Sequence, residues 1–272
     1  MRRGYIRSMG VLMSVIGALG AQVAGAGAGE APADVVAEMT PTGKLRAAIN
    51  LGNVVLAQKN ATTGALSGAS VDIARELARR LGKEVAFVEF DAAGKVTDAV
   101  KDNVYDVVFL AIDPVRGAGI AFTPPYVLIE GGYLVPAASP LHKIEDVDRE
   151  GVRIAVGRGS AYDLYLTRAI KKATLVRAQS SPAAIEQMLK DKLEVAAGVK
   201  VPLVTFAKGR SDVRVMDGRF MVIEQAVGTL RGRDASARYL SRMVEELKAS
   251  GFVANSLKTS NQPDASVAPP AK

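Results

Sequence analysis

The chain of 272 residues is long enough for one large or two small domains, and its 35 Lys and Arg against 28 Asp and Glu give a formal charge of +7. It has no cysteine and one histidine, His142, which excludes disulfides, thiol catalysis and a zinc site of the usual Cys/His type. The basic residues are interspersed with acids, there is no tryptophan, and no basic block alternates with aromatics, so no nucleic-acid partner is expected.

The first segment joins a basic start, Arg2, Arg3 and Arg7, to a short apolar run from Val11 to Leu19. Two small-x-small sites follow, at Ala24-Gly25-Ala26 and Ala26-Gly27-Ala28. This pattern predicts a signal peptide over residues 1–26, and removing its three arginines lowers the charge to +4 (7 − 3). A membrane anchor is the alternative, but Gly10, Gly17, Gly20, Gln22 and Gly25 dilute the stretch. Glu30 to Thr42 reads as a polar lead-in. Leu45 to Asn50 is a strand, and a loop through Asn53 and Gln58 leads to a helix from about Ser70. In that helix Val71, Ala74, Leu77, Ala78 and Leu81 recur at helical spacing before Gly82. A strand at Glu84 to Phe90, a helix near Lys95 to Lys101 and a strand at Tyr105 to Ile112 follow. A connector from Pro136 to Lys143 opens a second unit of the same kind. It has strands at Val152 to Val156, Thr174 to Val176, Val195 to Val199 and Val213 to Met216. Its helices start at Ser160, Ser181-Pro182 and Pro202. Met221 to Thr229 is extended and apolar, Asp234 to Ala249 is an amphipathic helix stopped by Gly251, and the Pro/Ala/Ser-rich residues 261–272 predict a disordered tail. This β-loop-α-β-α-β order implies doubly wound parallel sheets, in two lobes or in one larger sheet.

The most informative stretch is Tyr105 to Tyr126. An apolar strand ends at Asp113, a turn presents Arg116, and Phe122-Thr123-Pro124-Pro125-Tyr126 begins a second apolar run. Ligands of open α/β sheets bind past the carboxyl ends of strands, and an arginine there offers a planar fork suited to a carboxylate. The plainer alternative is that Arg116 pairs with Asp113 or caps a turn. In the second unit, Gly157-Arg158-Gly159-Ser160 places a serine N-cap and the N–H groups of Ser160, Ala161 and Tyr162 at a helix start that favours an anion.

A strand, a small-residue turn, an arginine and an F-[ST]-x-P-Y segment in this order resemble the bacterial extracellular solute-binding proteins of family 3, the polar amino-acid receptors of ABC importers. The likeness runs from about Gly43 to Leu257. It implies a type II periplasmic-binding-protein-like α/β fold with two doubly wound lobes joined by two crossing strands. Lobe 1 would be discontinuous (43–133 and 226–260), lobe 2 would span 134–225, and hinges would lie at Gly132-Tyr133-Leu134 and Glu224-Gln225-Ala226. It also implies a small-molecule ligand between the lobes, an ABC permease as partner, a periplasmic monomer without the lipidated cysteine, no cofactor and no metal. Its ligand contacts would fall on Arg116, Ala111, Asp113, Ser160, Ala161, Tyr162, Asn53, Ser70, Lys200 and Glu130.

This chain departs from the pattern at several points. The aromatic cover of the family is replaced by Val54-Val55-Leu56-Ala57-Gln58, the Gly-Phe-Asp-Val-Asp segment reads Gly68-Ala69-Ser70-Val71-Asp72, and Thr-x-Thr reads Ala111-Ile112-Asp113. Where amino-acid receptors often place an ammonium-binding aspartate, the sequence has Lys200, which would repel an ammonium unless Asp113 or Glu130 substitutes. An anionic or atypical solute is therefore expected, with delivery to an importer by hinge closure. The alternatives are a dehydratase-like enzyme on the same scaffold, for which Asp113, Glu130 and Lys200 are the evident acid–base candidates, and a ligand-sensing receptor.

Overall fold

The computed structural model describes Met1 and residues 31–272; the expected signal peptide lies outside the described residues. Among the described residues no helix is long and apolar enough to cross a membrane.

The lead-in is partly helical rather than extended. Helix α1 (Ala33–Met39) buries Val35 and Met39, one turn apart, and its Glu38 carboxylate accepts from the N–H and hydroxyl of Ser236, in the first turn of a later helix. Strand β1 (Leu45–Asn50) leads to a small hairpin, β2 (Gln58–Lys59) and β3 (Leu66–Ser67), where the sequence predicts only a loop. Helix α2 (Ala69–Arg80) follows, and the apolar stripe from Val71 to Leu81 is buried as its spacing predicts. Strand β4 (Val85–Phe90), helix α3 (Ala93–Asp98) with a 3-10 turn (Ala99–Asp102), and strand β5 (Val107–Ala111) complete the first wound unit, with β4, β1 and β5 parallel.

The 17-residue strand β6 (Ile120–Pro136) then leaves this unit and enters the next. There, β7 (Arg153–Gly157), α4 (Ala161–Ala169), β8 (Thr174–Ala178), α5 (Ser181–Lys190), β9 (Val195–Val199), α6 (Lys200–Ala207) and β10 (Val213–Val215) alternate. Strand β11 (Met221–Leu230) returns, and α7 (Asp234–Ala249) packs on β6. Gly251 does end α7, at φ +76°, but a further helix, α8 (Phe252–Thr259), starts directly from it.

The strand order β4-β1-β5-β11-β6-β9-β7-β8 bears out the two expected lobes and shows why one larger sheet uses the same elements: the lobes share one continuous ladder. Residues Ile120 to Gly131 of β6 pair with β11, Gly131 to Leu134 pair with β9, and Leu134 to Pro136 pair with β10. The two doubly wound α/β units are thus joined by two crossing strands within one hydrogen-bonded ladder. The ladder shifts register at Gln225/Ala226, within one of the expected hinges.

The expected disordered tail is not disordered. Strand β12 (Ser266–Val267) pairs with Leu128 and Val127 of β6, on the edge that β9 takes further along. Ala265 and Ala268 are buried, and the Lys248 ammonium donates to the carbonyls of Pro125 and Pro269. The composition had no core of its own to offer, but β6 supplied a free edge, and strands with exposed edges take up such partners.

Candidate functional site

Strand β5 ends at Ala111, and the chain turns through Asp113 into a 3-10 turn that begins at Arg116. Among the described residues this arginine is the largest fully buried side chain, 1% exposed. Its Nη1 donates to Ala111 O at 2.9 Å and its Nη2 to Gly159 O, in the second unit, at 2.8 Å, while Nε is buried with no partner. Burial pushes the guanidinium down to about 10, and the charge of Asp113 opposes the shift. Of the plainer expectation, the pairing is not formed, since Asp113 does not hydrogen-bond Arg116, whereas the turn-capping part describes the two bonds of Arg116 to the carbonyls of Ala111 and Gly159. One Asp113 oxygen accepts from Val115 N at 2.8 Å, and the other from Arg168, on α4 of the opposite unit, at 2.7 Å.

Gly157 to Ser160 forms the facing turn. Ser160 is the N-cap of α4, its hydroxyl accepting from Asp163 N at 3.0 Å. Its own N–H is not free as expected but donates to Gly157 O, which leaves Ala161 and Tyr162 as the N–H groups at the helix start without helical partners. Gly159 N donates to Asp163, whose other oxygen accepts from Arg177. The two units touch here backbone to backbone: a Cβ on Gly94 would lie 2.8 Å from Arg158 O, and one on Gly159 2.6 Å from Gly94 Cα.

Between the units lies a cavity of about 30 Å³, space for a water or two, bounded by Arg116, Ala111, Asn53, Ser160, Ala161 and Tyr162. Six of the ten expected ligand contacts thus converge. Three orphaned polar atoms converge with them: Arg116 Nε, Asn53 Oδ1 and Tyr162 Oη. Burial raises the tyrosine's pKa, and Ser181 and Ser160 beside it oppose the rise. Asn50, Leu110, Ser181, Val199, Ile223 and Gln225 also line the cavity and were missed. Asn50 and Val199 are last residues of β1 and β9, Leu110 is one short of the end of β5, and Ser181 begins α5, so the rule that ligands bind past strand carboxyl ends reaches these four, but not Ile223 and Gln225, which lie inside β11.

The other four expected contacts lie elsewhere. The Ser70 hydroxyl is buried against Tyr126 Oη at 2.9 Å, in the core beneath α2. Glu130 is held by Arg219 at 2.5 Å and by Lys200 at 3.4 Å, and neither Glu130 nor Lys200 lines the cavity. Asp113 is taken by Arg168 and does not line it. Lys200 and Arg116 therefore do not form a pair of cations for a dicarboxylate. A second chamber of about 570 Å³ adjoins the first through Gly52, Asn53, Ser181 and Val199, where the family's aromatic cover is replaced by Val54 and Val55.

No match was found among curated protein sequences. Among solved structures, the chain resembles the solute receptor for L-cysteine of Neisseria gonorrhoeae (TM-score 0.73, 19% identity, 84% of this chain and 94% of that one). It also resembles a variant of ArgBP from T. maritima (TM-score 0.71, 19% identity, 84% and 99%). A third likeness is to the ancestral amino acid-binding protein AncCDT-1, a precursor of cyclohexadienyl dehydratase (TM-score 0.70, 19% identity, 82% and 97%). At such identities these likenesses establish the fold, that of type II periplasmic binding proteins. Residues 52–259 match the family model described as Bacterial extracellular solute-binding proteins, family 3, and the chain belongs to that family.

Proposed function

We propose that this protein captures a small carboxylate-bearing solute between its two units and delivers it, as a periplasmic monomer freed from its leader, to an ABC permease. The observation that carries the reading is the state of Arg116. A fully buried cation that lines the inter-unit cavity is held by only two neutral carbonyls and keeps an unsatisfied Nε–H. Buried charge is costly unless paired, so an anion in the cavity gains what the protein leaves uncompensated. The helix start at Ala161 and Tyr162 faces the same space and favours the same sign.

The solved relatives of similar fold are named for amino acids such as L-arginine and lysine, which supports a carboxylate as the shared element. A dehydratase-like role would require a general acid or base at the cavity. Asp113, Glu130 and Lys200, the expected candidates, are engaged in ion pairs away from it, so binding is the reading adopted.

The test is a thermal-shift screen of small carboxylates on the mature chain, repeated with Arg116→Ala and Arg116→Gln. A ligand at a hundred times its Kd adds about 2.7 kcal/mol to stability. That gain should vanish in both variants while the apo protein stays folded. A full-sized shift in a folded Arg116→Gln protein would refute the anchor.

A further inference from the structure

Arg116 is the sole charged side chain lining either cavity among the described residues. Among those residues no acid lines either cavity, and the acids at or near the two turns and on β6 are each in an ion pair: Asp113 with Arg168, Asp163 with Arg177, Glu130 with Arg219 and Lys200. The free acceptor facing the first cavity, Asn53 Oδ1, is neutral and can take a hydroxyl or N–H without offsetting a charge. An α-ammonium brought in beside the carboxylate would therefore be desolvated without a counter-ion.

The chamber of about 570 Å³ continues directly from the Arg116 cavity, through the shared Gly52, Asn53, Ser181 and Val199. Its walls come from both units and are mainly apolar: Val54 from one side, and Ile185, Val201, Leu203 and Phe206 from the other. A chamber of that kind binds the apolar body of a small molecule, while the few polar groups at its end fix the orientation.

Resting on the carboxylate-capture reading above, we propose that the ligand is a monocarboxylate with an apolar organic part and no ammonium, its carboxylate on Arg116 and its apolar part in the adjoining chamber. The same site discriminates against α-amino acids, because no acid lines it to partner an ammonium, and against dicarboxylates, because a second carboxylate reaching into the chamber finds no cation there.

Isothermal titration of the full chain with straight-chain carboxylates from propanoate to hexanoate, and with 4-methylpentanoate, L-leucine, L-glutamine and glutarate, tests this. Affinity should rise about fourfold per methylene along the series. 4-Methylpentanoate should bind at least about tenfold more tightly than L-leucine, which adds only the ammonium to the same skeleton. Val54→Asp, at a position 47% exposed and therefore tolerant, should flatten the methylene series. A flat series in the wild type, or L-leucine, L-glutamine or glutarate binding as tightly as 4-methylpentanoate, overturns the inference. If such binding still disappears with Arg116→Gln, the carboxylate-capture reading survives; if it persists, both fall. No binding of 4-methylpentanoate or hexanoate at millimolar concentration also overturns it.

Discussion

Arg116 carries five N–H donors, and two hydrogen bonds to backbone carbonyls account for its contacts in the structure. The geometry of what remains matters as much as the charge. The unpartnered Nε–H lies beside an Nη2 already bonded across to Gly159, and these two adjacent N–H groups are the pair that a planar anion would take. Arg116→Lys separates fork from charge, since a lysine presents a point charge on a flexible stem. We expect it to lose about one charge-assisted hydrogen bond, 1.5–3 kcal/mol, or roughly 10- to 150-fold in Kd by calorimetry. Unchanged affinity would mean that charge alone holds the ligand. The place of Arg116 in the fold was legible because it is written locally, in an apolar strand followed at once by a turn. Ser70, Asp113, Glu130 and Lys200 lie outside the cavity, each held by a partner distant in sequence: Tyr126 for Ser70, Arg168 for Asp113, Arg219 for Glu130, and Glu130 for Lys200. Orphaned atoms such as Asn53 Oδ1 exist only once the chain is folded and have no sequence signature.

At the level of elements, what closes the cleft is the approach of α3 to the turn before α4. Gly94 and Gly159 meet there with no room for a Cβ. Gly159 also sits at φ +68°, so a side chain would strain its backbone whatever the state of the cleft, and it makes a poor probe. Gly94 is within α3 at an ordinary φ, where alanine is the better helix former by about 1 kcal/mol. Gly94→Ala should hold or raise the stability of the unliganded protein while weakening solute binding, because Arg158 O at 2.8 Å blocks full approach. Denaturation and titration curves moving in opposite directions would establish this; unchanged binding would show that the two turns can slide apart at no cost. The strands and helices carrying these turns were largely readable from period and caps. Elements created by tertiary contact were not. Helix α1 is two turns long and owes its place to packing on α7, and β12 pairs only because β6 offers an edge at Val127 and Leu128. Pro- and Ala-rich composition predicts what a segment does alone, and here it is not alone.

For the whole molecule, function depends on the balance between open and closed arrangements, because a cavity of about 30 Å³ admits a solute only if the units separate. Side chains oppose that separation at two points, Arg116 on Gly159 O and Arg168 on Asp113, while β6 and β11 keep the units connected throughout. The second contact differs from a surface salt bridge in one respect. Asp113 is 5% exposed although Arg168 is 47% exposed, so removing the arginine leaves a buried carboxylate without its cation in the closed form alone. In an open form water would reach Asp113, and the loss would cost little. Arg168→Gln should therefore shift the population toward open and weaken ligand affinity by the same factor as it reduces the closed fraction, at least about tenfold for a penalty of 1.4 kcal/mol. The absence of native cysteine makes this measurable directly: Lys83→Cys and Lys190→Cys place labels at exposed positions on the two units for single-molecule distance measurement. A closed fraction that falls with Arg168→Gln in the unliganded protein and recovers with ligand supports the ion pair as a latch. A distribution identical to that of the parent protein would assign closure to the Arg116–Gly159 contact and the backbone approach at Gly94.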